Sequence, residues 1–213
     1  MLEPTPSTTR TPALTHVVQQ GDTLYSIAWD AGVDYRALAA WNDISPPYVI
    51  RPGETLRLRP RKGSGTGHGK PAVPEPSKRA AAPDTRSGEM GQPEWAWPVR
   101  GPIIREFSRS SANPGIDIAG KSGETVKSAA DGRVVYAGDG LRGYGELIIV
   151  KHNDTFLSAY AHNRKILVRE GDSVGRGQPI AEMGSTGTNR VKLHFEIRKE
   201  GVAVDPLQYL PKS

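Results

Sequence analysis

The chain has 213 residues, and 28 Lys and Arg against 23 Asp and Glu give a net charge of +5. This length allows two small domains or one of medium size. The absence of cysteine excludes a disulfide scaffold and cysteine-ligated zinc. The positive charges are scattered, so no nucleic-acid partner is expected. No apolar run approaches the roughly 20 residues that cross a bilayer.

Composition divides the chain into globular and non-globular parts. Residues 61–92 are rich in Pro, Gly, Ala, Ser and basic residues and contain almost no large apolar side chain. Such a segment buries too little surface to offset its ordering entropy, so a flexible linker is predicted there. Residues 1–14 are predicted to be disordered, and they lack the basic and apolar regions of a signal peptide. Domains are therefore expected at 15–60 and 93–213.

The first globular part shows the order strand, helix, helix, strand. Residues 16–19 form a β-rich run, and Asp22 or Thr23 is a candidate N-cap for the helical spacing that follows. Asp34 is the candidate cap of a second short helix. A Pro-Gly turn and alternating leucines within residues 50–58 predict a closing strand. A small βααβ domain is expected.

These blocks, in this order and spacing, resemble a LysM domain. The resemblance implies binding to glycans that contain N-acetylglucosamine, chiefly peptidoglycan, in a groove between two loops. In the plainer interpretation the glycines of these loops only make turns and Asp22 only caps a helix; both interpretations can hold together, although degenerate LysM modules occur. The expected glycan-binding residues are Gly21, Asp22, Thr23, Leu24, Ile50, Arg51, Pro52 and Gly53.

The second globular part predicts a mainly antiparallel β domain. Short β-branched or aromatic runs are separated by turns that contain glycine, and no long amphipathic helix is evident. The clearest runs lie at residues 103–107, 132–136, 147–150, 157–160 and 194–198.

Several blocks in this part resemble the LytM or lysostaphin-type zinc metallopeptidase family. They include Gly-Ile-Asp-Ile-Ala at 115–119, Tyr-Ala-His at 160–162 and Leu-His-Phe-Glu-Ile-Arg at 193–198, and the resemblance extends over about residues 95–210. It implies a fold whose enzymes cut peptidoglycan crosslinks. These enzymes hold zinc through a His-x-x-x-Asp pair and the second histidine of a His-x-His block, and further histidines assist catalysis.

Carried over by position, the resemblance implies that part of this machinery is lost. The amide of Asn113 would be a poor zinc ligand, and the nearby ammonium group of Lys192 would repel a dication. No metal, no other cofactor and no catalysis are therefore expected. Residual zinc binding by the retained residues is the alternative, and a metal-free polar cluster in which Asp117 pairs with Lys192 is the favoured interpretation. Restoring both histidines is predicted to rebuild a zinc site. The degenerate groove comprises Asn113 in place of the first ligand, Asp117, the catalytic-position residue His162, Lys192 in place of histidine, and His194.

The combination of LysM, linker and degenerate LytM domain resembles a subgroup of activators of cell-wall hydrolases. This resemblance implies an outer-membrane lipoprotein facing the periplasm, with membrane attachment only through a lipid anchor that this sequence does not contain. Its expected partners are peptidoglycan and a periplasmic N-acetylmuramoyl-L-alanine amidase of the AmiC type, activated for septal splitting and daughter-cell separation. Arg142 and Tyr144 are candidate amidase contacts, unless Tyr144 packs its loop and Arg142 is solvated. The alternatives are an active zinc endopeptidase and a pure wall-binding adaptor.

Overall fold

A computed structural model describes residues 15–60, 91–111 and 113–212. The predicted disordered segment 1–14 and nearly all of the predicted linker lie outside these residues. Within them, no helix is both long and apolar enough to span a membrane.

The N-terminal domain has the predicted βααβ order. Thr23 caps the first helix: its hydroxyl accepts a hydrogen bond from the Ser26 backbone N–H, and Ser26 Oγ accepts one from the Thr23 N–H. Gly32 ends this helix at φ 66°, a conformation that glycine adopts without strain. Asp34 caps the second helix. The elements are β1 Thr15–Val17, α1 Leu24–Ala31, α2 Tyr35–Trp41 and β2 Thr55–Arg57.

The C-terminal domain is built on one antiparallel sheet, as predicted. The main path runs β3-β4-β11-β8-β7-β6-β9, with β10 pairing both β5 and β8, and β12 pairing β11. A 3₁₀ turn at Pro206–Gln208 follows the last strand. The strands are β3 Ile103–Arg105, β4 Ile116–Ala119, β5 Thr125–Lys127, β6 Gly132–Gly138, β7 Glu146–Lys151, β8 Phe156–Ile166, β9 Ser173–Val174, β10 Pro179–Met183, β11 Lys192–Lys199 and β12 Val202–Val204.

The alternation of side chains gives this sheet two different faces. On β11, Leu193, Phe195 and Ile197 enter the main apolar core, so the residues between them point to the opposite side. Asp117 lies between two core isoleucines of β4 and shares that opposite side. We call it the groove face; its polar residues are Asp117, Lys192, His194, Glu196 and Arg198.

The N-terminal domain packs on the groove face of the sheet, over β7, β8 and the end of β11. Trp29 belongs to one apolar cluster with Leu147, Ile149 and Leu157, which alternate with core residues along β7 and β8. The Arg198 guanidinium lies 3.7 Å from the centroid of the Trp29 ring, and its Nη1 donates to the Trp29 carbonyl at 2.6 Å. The two domains therefore share a core in addition to their covalent connection.

At Gly201 the two backbones approach each other closely, which allows this docking to be tested. Its φ is 77°, and a Cβ there would collide with the backbone nitrogen of Asp34. We expect Gly201→Ala to push the domains apart, shifting the methyl NMR signals of Ile149 and Leu157 and enlarging the radius of gyration. Gly171→Ala is the matched control, because φ is 90° there and no atom lies within 4 Å of the added Cβ. Equal shifts in the two variants would contradict the docked arrangement.

Candidate functional site

The groove is centred on the buried carboxylate of Asp117. Lys192 Nζ donates to its Oδ2 at 2.8 Å, and His194 Nδ1 lies 2.8 Å from its Oδ1. Arg105 donates from Nε and Nη2, at 2.9 Å each. Burial alone would raise the pKa of Asp117, but the hydrogen bonds from His194, Arg105 and Lys192 hold it well below its usual range. Asp117 is therefore a permanent anion surrounded by cations.

Arg105 belongs to this site but was not predicted from the sequence. Its Nη2 lies 2.8 Å from His194 Nδ1 as well as donating to Asp117, so the guanidinium contacts both of these predicted ligand residues. Its Nη1 donates to Ser111 Oγ at 2.9 Å and to the Asn113 carbonyl at 3.1 Å. The pairing of β3 with β4 sets Arg105 opposite Asp117. The only available signal was a charged residue in an apolar run, and the family motifs do not include that position.

Asn113, at the first ligand position, has its side-chain amide engaged elsewhere. Its Nδ2 donates to the Gly143 carbonyl at 3.0 Å. The amide thus ties together the loops that precede β4 and β7. Only the backbone carbonyl of Asn113 joins the cluster, through Arg105.

His162 lies beside the Asp117 cluster, and one of its ring nitrogens is hydrogen-bonded to the backbone. Its backbone has φ 67°, and its Nδ1–H donates to the Thr186 carbonyl at 2.8 Å. Burial and the neighbouring Lys192 and His194 charges lower its pKa to about 4. His162 is therefore neutral at neutral pH.

A buried hydrogen-bonded chain connects the groove to the domain contact. His194 Nε2 lies 2.9 Å from Glu196 Oε1, and the Tyr144 hydroxyl donates to the same oxygen at 2.8 Å. The Trp29 indole N–H donates to the Tyr144 hydroxyl at 3.2 Å. Tyr144 is 4% exposed, so it packs its loop from within, whereas Arg142 is exposed.

The pKa values of the two groove histidines are shifted in opposite directions. Burial alone would lower the pKa of His194, but its hydrogen bonds with Asp117 and Glu196 raise it above the ordinary value. Protonated His194 therefore stabilises the fold below about pH 6.5, and this contribution is lost as pH rises through its folded pKa. Nitrogen-detected NMR titration, assigned with His162→Gln and His194→Gln, should find His162 neutral and His194 charged at pH 6. A neutral His194 at that pH would contradict this assignment.

The arrangement does not fit a zinc ion. Zinc needs three converging donors and an open position, but both nitrogens of His194 face carboxylates and the Asn113 amide faces Gly143. Two cations occupy the surroundings of Asp117. Among the residues that the structure describes, no three His, Cys, Asp or Glu side chains form a group that could hold a metal.

The predicted glycan loops lie at one end of the N-terminal domain. The Gly53 N–H donates to the Val18 carbonyl at 2.8 Å, which brings the second loop beside β1. Asp22 does not cap the helix: its Oδ2 accepts from the Gln19 N–H at 2.9 Å and lies 2.7 Å from His16 Nε2. Asp22 therefore closes the first loop, and the cap is Thr23.

Comparisons with known proteins agree with this architecture. Family models match LysM at residues 16–59 and Peptidase family M23 at residues 111–206. A solved structure of a putative peptidase M23 from Pseudomonas aeruginosa is similar at 30% identity and TM-score 0.52, over 58% of this chain and 52% of that one. The protein is therefore a LysM protein with an M23-type β domain.

Similarity over nearly the whole chain narrows the family further. The chain is 48% identical to a lipoprotein NlpD/LppB homolog of Pseudomonas aeruginosa, over 95% of this chain and 80% of that protein. It is 40% identical to the murein hydrolase activator NlpD of Salmonella typhimurium, over 97% and 71%. The chain belongs to the NlpD family.

Proposed function

We propose that this protein is a non-catalytic activator of a periplasmic N-acetylmuramoyl-L-alanine amidase, acting in septal wall splitting and daughter-cell separation. The observation that carries the proposal is Arg105, whose Nη2 contacts both Asp117 and His194. A groove that keeps the peptidase fold but holds a fixed cation there is suited to binding rather than hydrolysis. The names of several relatives, murein hydrolase activator, support the same role.

Anchoring to the wall belongs to the N-terminal domain in this proposal. The LysM match and the two adjacent loops support peptidoglycan binding through residues 21–24 and 50–53. Relatives are named lipoproteins, one of them an outer membrane antigenic lipoprotein. We place the full-length protein in the periplasm, held by a lipid anchor at the inner leaflet of the outer membrane.

The amidase would bind along the groove and its rim. Exposed Arg142 is the better contact candidate of the predicted pair, because Tyr144 is buried beneath it. Tyr144 would instead act as a positioning residue that holds Glu196 and the loop. The surroundings of Asp117, His162, Lys192 and His194 would form the floor.

Dye release from labelled peptidoglycan tests the proposal directly. We expect the protein alone to release no dye, with or without added zinc. We expect it to raise the release by a purified periplasmic amidase at least about tenfold, since a shift of about 1.4 kcal/mol toward the active form of that amidase corresponds to this factor. Chelator-sensitive cleavage without any amidase would establish the alternative, an active zinc endopeptidase. Failure to stimulate any such amidase would contradict activation.

The adaptor alternative needs a variant that leaves the domain contact intact. Removing residues 1–60 would expose Leu147, Ile149 and Leu157, so loss of activity would not identify the role of LysM. Arg51→Glu in the second loop, with exposed Arg59→Glu as its charge-matched control, is the cleaner change. We expect Arg51→Glu to weaken sedimentation with purified sacculi while activation of the amidase in solution persists; loss of both would favour a pure adaptor.

A further inference from the structure

A cavity of about 370 Å³ opens where the two domains meet. One wall is the end of α1, from Trp29 to Gly32, and the other is formed by loops around the groove. Asn113 and Tyr144 are among its lining residues. The cavity therefore adjoins the degenerate groove and exists only because the N-terminal domain is docked.

The cavity carries positive charge that no described residue neutralises. Arg109 and Arg142 both line it and both are exposed, and neither forms an ion pair within the described part of the chain. Arg198 in the floor is already committed to Glu196 and to the Trp29 carbonyl. One carboxylate, exposed Asp30, also lines the cavity, so its rim is cationic on balance.

The walls of the cavity are preformed. Trp29 is 3% exposed and is held by its bonds to Tyr144 and Arg198, and Gly201 lets the backbones meet without a gap. A site whose walls are already ordered loses less entropy when a ligand binds. When a ligand binds, the exposed side chains of Arg109 and Arg142 must still become ordered.

We propose that this junction pocket binds a carboxylate side chain on the recognition segment of the partner amidase, with Arg109 and Arg142 as its anchors. The inference rests on the proposed function and adds the chemistry that selects the partner. Arginine presents paired N–H donors that match a carboxylate in a bidentate way, and such charge-assisted bonds are stronger than neutral ones.

An acidic protein segment fits this pocket better than a wall peptide. Val202 lines the pocket and is 58% exposed, and Pro114 and Ala203 lie beside it. A cationic rim next to exposed apolar surface suits an acidic residue flanked by an apolar one. Arginine and apolar groups together are typical of protein interfaces, and opposite charge would speed the encounter.

Charge reversal in the full-length chain tests the pocket. We expect Arg109→Glu with Arg142→Glu to weaken binding to a purified periplasmic amidase at least about tenfold by calorimetry, since anchor residues of an interface dominate its affinity. Dye release should fall in parallel. Arg109→Gln with Arg142→Gln should show a smaller loss in the same direction. The matched control is Arg100→Glu with Lys127→Glu, two exposed cations outside the pocket, which should leave both readouts near wild type.

The outcomes separate the pocket from the wider proposal. If the wild type neither binds nor stimulates an amidase, the proposed function fails. If the wild type does both and the pocket variants match the control, only the pocket is overturned. If the pocket variants no longer sediment with sacculi but still activate the amidase, the pocket binds a wall peptide and the inference is also wrong. Loss of amidase binding with sedimentation intact supports it.

Discussion

Placing histidine at both positions 113 and 192 should not produce zinc binding while Arg105 remains. The guanidinium lies within 2.9 Å of both retained ligand positions, and a unit charge about 5 Å from a dication costs several kcal/mol at an effective dielectric near 20. At about 1.4 kcal/mol per decade, that is several decades of affinity. We therefore expect that histidines at these two positions alone do not suffice.

Calorimetric zinc titration after chelator treatment decides the point. We expect no micromolar binding by the wild type or by Asn113→His with Lys192→His. Adding Arg105→Ala should produce measurable affinity, whereas adding Arg100→Ala as the charge-matched control should not. Tight binding by the double variant would show that the guanidinium moves aside readily. No binding by a folded triple variant would show that the side chain at position 113 does not reach the site.

Replacing Glu196 by alanine should lower the free energy of unfolding more than any other substitution proposed for this protein. Its carboxylate is fully buried and is shared by His194, Tyr144 and Arg198. Removal leaves the buried Arg198 without its counterion, and breaking one partner of a buried pair costs about 3–5 kcal/mol. For a chain of this size we expect the melting temperature to fall by roughly 10 °C.

Thermal unfolding followed by circular dichroism measures this effect, with exposed Glu106→Ala as the control. Glu196→Gln should lie between the two, because an amide oxygen still accepts one hydrogen bond but carries no charge. The methyl signals of Ile149 and Leu157 should also shift in Glu196→Ala, since Tyr144 would lose its acceptor and loosen from Trp29. An unchanged melting temperature would show that the buried chain contributes nothing to stability.

Local features of this protein follow from its sequence. The Thr23 cap, the glycine that ends α1 and the alternation along β11 depend on neighbours within a few residues, where propensity and periodicity are informative. The prediction that Asn113 and Lys192 stand at positions where the resembled family has histidine likewise rests on motif spacing alone. These features sufficed to predict a βααβ N-terminal domain and a mainly antiparallel β C-terminal domain, and the structure shows both.

The tertiary structure decided what those residues contact. Arg105 is 12 residues from Asp117 along the chain, and only the pairing of β3 with β4 aims its guanidinium into the groove. From the sequence, Tyr144 was a candidate either for an amidase contact or for packing its loop. In the structure it is buried, and Trp29, 115 residues away along the chain, donates to its hydroxyl. The apolar residues of β7 and β8 that face this domain alternate as in any half-buried strand. The pattern therefore indicates that they are covered, but it does not indicate which part of the protein covers them. Contacts between segments so far apart depend on shape and charge complementarity in three dimensions, which no local pattern encodes.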